Sequence, residues 1–259
     1  MIKVNGFQKS AGLMGAALTA LWVLTAAATA GVIFDDFADG NDDDWTRYDP
    51  IAMAIGGSYT EFSVVNEQYR IQAFESPDPG EVGPARAMSL REDVVFDDFT
   101  ISVDVVDFDA TMTNQVFGIF SRITNPGLGS TDGYGLLSTV GGSLELIRLE
   151  NEEPVSYIDT AAAGALDPDN DYRLVFSGAG DNFSGAIYDL DDLTTPLATV
   201  GGTDANFTSG YTGLFVFDSS AGGDGQADAT FDNFSAIPEP ASAILLLLGS
   251  ALWLYRRKV

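Results

Sequence analysis

The residues that could do chemistry in this chain are carboxylates. There are 38 Asp and Glu against 12 Lys and Arg, with no His and no Cys. Without imidazole or thiol there is no His base, no Cys nucleophile, no disulfide and none of the usual zinc sites. The densest acidic stretch holds Asp35, Asp36, Asp39, Asp42, Asp43 and Asp44, with Asn41 among them and Gly40 breaking the run. Carboxylates this close repel one another unless a cation sits among them, and hard oxygen donors select calcium over transition metals. One expectation is a structural Ca2+ held by Asp35, Asp36, Asp39 and the distant Asp232. The other is a solvated acidic loop.

Asp167, Asp169 and Asp171 alternate like the start of a calcium-binding loop, but Tyr172 stands where the sharp turn needs Gly and Gly178 where a bidentate Glu belongs. This stretch reads as an acidic turn before a strand. For catalysis, the inventory left is paired carboxylates, Tyr and Arg, which suits a glycosidase or a lyase. Within Ser143 to Glu150 the acids Glu145 and Glu150 are five apart, so strand alternation sends them to opposite faces. No catalytic residue is assigned. For binding, a sugar ring needs an exposed aromatic platform flanked by hydrogen-bonding groups. Trp45 beside Arg47 and Tyr48, Tyr134 in the Gly-rich loop 127–135, and Tyr157 after the acidic 150–154 turn are the candidates, and each also reads as packing.

These side chains must be positioned by strands. Apolar residues recur at every second position in short runs such as Phe99, Ile101, Val103 and Val105, or Tyr172, Leu174 and Phe176, with Gly, Pro, Asp and Asn between runs. No internal window of ordinary helix length shows a 3.6-residue period. The expected fold is all-β, a single antiparallel β-sandwich of the jelly-roll kind with about a dozen strands.

The two ends follow other rules. Lys3 and Lys9, an apolar run from Ala11 to Leu24 and the small residues Ala28, Thr29 and Ala30 make residues 1–30 a signal peptide for signal peptidase. The far end reads Pro238, Glu239, Pro240, then an apolar transmembrane helix over 241–255, then Arg256 and Arg257. This ordered set over 237–259 resembles the PEP-CTERM sorting signal of Gram-negative bacteria. The resemblance implies processing by an exosortase, transient membrane anchoring, and delivery across the inner membrane to the cell surface or an exopolysaccharide biofilm matrix. The domain between, 31–236, keeps seven Arg against 37 acids, a net charge of −30. Such a surface repels nucleic acid and anionic polysaccharides, so a neutral polysaccharide is the better partner.

A second resemblance covers that domain. The opening Phe34-Asp35-Asp36-Phe37, the pair Tyr172 to Gly178 and Phe183 to Asp189, and the closing Phe231-Asp232-Asn233-Phe234 are similar to the concanavalin A-like lectin and glucanase superfamily, which includes laminin G-like domains. It implies adjacent first and last strands, with Asp35 and Asp36 near Asp232 and Asn233. The glucanases of that superfamily carry Glu-x-Asp-x-Glu or Glu-x-Asp-x-x-Glu on one strand, and neither spacing occurs here. The expected function is non-catalytic, lectin-like carbohydrate binding. A structural or adhesive matrix protein without a discrete ligand is the main alternative, and a carbohydrate-active hydrolase or lyase the second.

Overall fold

The computed structural model describes residues 31–223 and 225–238. The signal peptide over 1–30, Glu239 and Pro240, the helix over 241–255, and Arg256 and Arg257 lie outside the described residues. Among the described residues no helix is long and apolar enough to cross a membrane.

Among the described residues fifteen strands, numbered along the chain, form two antiparallel sheets. The eight-stranded sheet runs β13 (Ala198–Thr203), β12 (Asn182–Asp189), β11 (Tyr172–Ala179), β6 (Phe99–Phe108), β15 (Ala227–Pro238), β4 (Gln68–Ala73) and β3 (Thr60–Val65), with β1 (Ile33–Asp35) also pairing with β15. The seven-stranded sheet runs β10 (Glu153–Ala162), β9 (Ser143–Glu150), β8 (Asp132–Thr139), β7 (Gln115–Thr124), β14 (Gly210–Asp218), β5 (Arg86–Phe96) and β2 (Trp45–Tyr48). This is the two-sheet sandwich that the alternation calls for. The first and last strands are adjacent, with Asp35 opposite Phe234.

Tight turns follow from local chemistry. Asn66-Glu67 joins β3 to β4 and Asn151-Glu152 joins β9 to β10, all four residues at positive φ. Two consecutive positive φ values define the hairpin turn whose twist matches the flanking strands, and Asn tolerates the first of them well. The closing Phe231 and Phe234 are three apart yet both fully buried. Simple alternation forbids that. A bulge between Asp232 and Ser235, with Asn233 at φ 51°, resets the phase and turns both rings inward.

The inter-sheet core holds Phe99, Ile101, Val103, Leu136, Leu144 and Phe176, all fully buried. At one end Phe37, Trp45, Tyr69 and Phe234 pack as an aromatic group, with Trp45 edge-on to Phe234 at 4.9 Å. A separate apolar cluster lies on the opposite face of the seven-stranded sheet, away from the eight-stranded one.

The structure has more strands than the dozen expected, and two are instructive. In β5 the run Ala87 to Arg91 is buried without a break, because both of its faces are covered, and alternation vanishes. β10 is a largely exposed edge strand with irregularities at Pro154/Ser156 and Tyr157/Asp159, so its pattern is broken too. The domain also extends past the expected boundary at 236: β15 runs through Pro238, which pairs with Phe99. Pro238 is therefore part of the sheet.

Candidate ligand-binding site

The outer face of the seven-stranded sheet is organised in rows set by strand register. One row reads Glu145, Leu137, Gly118, Phe215 and Met88 across β9, β8, β7, β14 and β5. The next reads Tyr157, Ile147, Gly135, Phe120, Gly213 and Leu90, beginning on β10. Each phenylalanine is thus flanked across the strands by glycine. A Cβ at Gly135 would come within 3.3 Å of the Phe120 ring, and one at Gly118 within 3.0 Å of the Phe215 ring. The missing side chains let both rings lie down, and they stack with centroids 3.9 Å apart and planes 11° off parallel.

Above this floor lies a cavity of about 310 Å³, bounded by Met88, Phe120, Ile147 and Phe215 below, with Glu145 and Tyr157 on its β9–β10 side. That volume falls at the lower end of small-molecule sites, roughly 300–1,000 Å³. One end is closed by an ion pair between Arg86, at the start of β5, and Glu152, in the β9–β10 turn, with Nε to Oε1 at 2.6 Å and Nη2 to Oε2 at 3.2 Å. Three strands separate β5 from β9 in the sheet. Four strand spacings along a flat sheet would span roughly 19 Å, more than two side chains bridge, so the contact requires a face that curls over the cavity.

The polar lining is unevenly committed. Arg86 Nη1 also donates to the carbonyls of Val82 and Pro84, and Glu152 Oε2 also accepts the Gly129 N–H. Glu145 accepts one hydrogen bond, from Ser143 Oγ to Oε1, and among the described residues its other oxygen takes none. Tyr157 is 59% exposed and its hydroxyl has no partner among the described residues. Of the lining carboxylates, Glu145 carries the fewer hydrogen bonds among the described residues. A stacking ring beside a hydrogen-bonding carboxylate can hold a polar ring. Glu152, the other lining carboxylate, accepts from Arg86 and from the Gly129 N–H. Glu150, as its spacing predicts, belongs to the opposite face of β9 and pairs with Arg148.

The other two aromatic candidates are not platforms. Trp45 is 7% exposed, with Nε1 donating to Asp35 Oδ2 at 2.7 Å, and its ring is spent on the core. Tyr134 is fully buried, its hydroxyl donating to Asp204 and accepting the Phe207 N–H. Burial pushes its phenol up to about 12. Nor is the 125–133 loop a loose tip: Thr131 Oγ1 accepts the Gly127 N–H, Ser130 Oγ donates to the Asn125 carbonyl, and the Glu152 N–H reaches the Thr131 carbonyl.

The expected calcium ligands each accept hydrogen bonds within their own turns or from Trp45. Asp35 accepts from the Phe37 N–H and from Trp45, while Asp36, Asp39 and Asp232 each accept a backbone N–H one or two residues on. Asp36 and Asp232 do lie near each other, as adjacent end strands imply. Burial and the charges of Asp104, Asp36 and Glu67 outweigh the Asn233 N–H and raise the Asp232 carboxyl. The turn bonds hold these carboxylates as individual caps, and among the described residues no group of three or more acidic side chains is arranged to hold a metal ion.

Sequence reasoning missed Arg122. It sits in a bulge of β7 at φ 51°, is 2% exposed, and donates to the carbonyls of Asp97, Phe207 and Gly180. Its guanidinium lies over the Phe183 ring at 4.9 Å. One buried cation thus ties three loops together. Nothing in the spacing around Arg122 announces it.

No protein family matches the chain, and no curated protein matches it. Solved structures do. A carbohydrate binding module, CBM66 from Bacillus subtilis, aligns with TM-score 0.53 and 19% identity over 75% of this chain and 95% of that one. The β-glucanase of Bacillus licheniformis aligns with TM-score 0.55 and 13% identity over 82% of this chain and 100% of that one. The exoplasmic/lumenal domain of VIP36, in a Ca2+/Man3GlcNAc-bound form, aligns with TM-score 0.53 and 10% identity over 80% of this chain and 88% of that one. At these identities the likeness is one of fold, an antiparallel β-sandwich of two sheets.

Proposed function

We propose that this protein is a non-catalytic, lectin-like binder of neutral glycans, exported and held at the cell surface or in its matrix. One observation carries the binding reading: the exposed Tyr157 and Glu145, whose Oε2 takes no hydrogen bond among the described residues, line the same cavity on the outer sheet face. An aromatic platform with an adjacent acceptor is what a sugar ring uses, with its C–H face on the ring and its hydroxyls on the carboxylate. Solved structures of the same fold include a carbohydrate binding module and a Man3GlcNAc-bound lumenal domain, which supports the reading. The charge of the chain disfavours anionic polysaccharides.

Export rests on sequence. The leader over 1–30 and the Pro238-Glu239-Pro240 signal support passage through signal peptidase and exosortase, with transient membrane anchoring. The intact mass of the mature protein tests both cleavages. No resident metal is part of this proposal, because among the described residues no group of three or more acidic side chains is arranged to hold one. The test of function is a neutral-glycan array probed with the wild type and Tyr157→Ala, alongside an assay for reducing-sugar release. Binding lost in the variant, with no sugar released, is the expected outcome. Binding to no glycan leaves a structural or adhesive matrix role, and sugar release revives a hydrolase.

A further inference from the structure

The geometry points to a finer specificity in the same cavity, one that rests on the glycan reading: the site takes an uncharged sugar that carries an alkyl or acyl substituent, with the ring at Tyr157 and the substituent on the phenylalanine floor. The floor has no polar side chain to offer. Met88, Phe120, Leu137, Ile147, Leu149 and Phe215 are all at least nine-tenths buried and form one apolar cluster. A hydroxyl pressed onto it would lose its water without gaining a partner, at about 1–3 kcal/mol each. An unsubstituted sugar can therefore use the edge but not the floor.

The volume argues the same way. At about 310 Å³ the cavity is roughly twice an engineered apolar cavity of ~150 Å³ that accepts benzene. The space is thus ample for a short hydrocarbon chain. Its polar end is closed, since the Arg86 guanidinium is held by Glu152 and by two carbonyls. Charge decides the head group. A carboxylate-ended chain would bring its anion beside Glu145 in a strongly acidic protein, whereas a neutral hydroxylated head can donate to Glu145.

The test is calorimetric titration of the purified protein with methyl, butyl, hexyl and octyl β-glucosides below their micellar concentrations. Octanoate, octanol and an unsubstituted neutral oligosaccharide serve as comparison probes. Affinity is expected to rise about three- to fourfold per added methylene, the equivalent of about 0.8 kcal/mol per buried CH2. Octanoate and octanol should each bind at least about tenfold more weakly than octyl glucoside. Tyr157→Ala should weaken every glucoside while preserving the increment per methylene. Leu137→Gln, which sets an amide in the floor, should flatten the rise with chain length, so that octyl glucoside loses at least about tenfold more affinity than methyl glucoside does. Should that variant fail to fold, the wild-type series alone decides. A series flat with chain length, while the oligosaccharide binds, overturns this inference and leaves the glycan reading standing. Octanol or octanoate binding as tightly as octyl glucoside shows that the sugar contributes nothing, and both fall.

Discussion

Glu152 reaches Arg86 across the outer face of a sheet in which three other strands lie between the elements that carry them. The pair ties together the two flanks of the cavity, and the Gly129 N–H on Glu152 brings in the 125–131 loop. Both side chains are mostly buried, with 14% and 19% of their surfaces exposed. Glu152→Gln leaves Arg86 without its counter-charge in a poorly solvated place. The expected cost is about 2 kcal/mol, or roughly 4–8 °C in Tm for a domain of this size, read by thermal melting. An unchanged Tm would show that the bridge contributes nothing to stability.

Arg122 is a stronger case. Its N–H groups satisfy carbonyls of three separate loops, and burial lowers its own affinity for the proton without removing its charge. Arg122→Met keeps the apolar stem but strands three carbonyl oxygens, so a loss of about 3–5 kcal/mol is expected in urea unfolding. Arg122→Lys should recover less than half of that. A single ammonium cannot reach three carbonyls in the geometry of a planar fork.

The glycines under the phenylalanine pair make a graded prediction. At Gly118 a Cβ would sit 2.1 Å from the Leu136 carbonyl oxygen, a contact that backbone must move to relieve. At Gly135 the nearest atoms are flexible side-chain carbons at 3.1 Å and beyond. Gly118→Ala should cost about 2–3 kcal/mol and Gly135→Ala about 1 kcal/mol or less, measured by chemical denaturation. The reverse order would contradict the packing of the floor.

Stability should pass through a maximum on acidification. Burial, together with Asp104, Asp191, Asp107 and Asp189, raises the Asp171 carboxyl, and Asp232 is raised as described. Folded protein thus binds protons there before unfolded chain does, so stability grows as pH falls toward the ordinary Asp value of ~3.9. Asp204 has the opposite sign. Burial alone would raise it, but bonds from Asn206, Tyr134 and Arg148 outweigh that and hold it low. Its contribution is present above ~3.9 and is lost as pH drops through its folded value. Melting curves from pH 7 to pH 2.5 should show Tm rising, then collapsing below about pH 4. A monotonic fall from neutrality would contradict these assignments.

How much of this was readable from sequence depends on what each residue does. Alternation in β6 and β11 exposed one buried face each, so the sandwich was legible, while the adjacent end strands followed from the resemblance carried by the opening and closing Phe-Asp motifs. β5 and β7 are covered on both sides, which erased the period and hid the apolar outer face on which the site is built. Aromatic identity did not separate platform from core. Trp45, Tyr134 and Tyr157 all offer an aromatic face, and only the third turns its ring to water. The acidic run suggested a cation because spacing shows charge density but not hydrogen bonding. Turn N–H groups and Trp45 Nε1 already occupy Asp35. Contacts as distant in sequence as Arg86 to Glu152 leave no local mark at all.

The account stands most directly on Tyr157. Titration of a neutral oligosaccharide selected from the array, into wild type, Tyr157→Ala and Glu145→Gln, should give at least about a tenfold weaker Kd for each variant. Because Tyr157 is exposed, the Tyr157→Ala melting curve should overlay the wild type. Equal Kd values for all three proteins would contradict a glycan site on the outer face of the seven-stranded sheet.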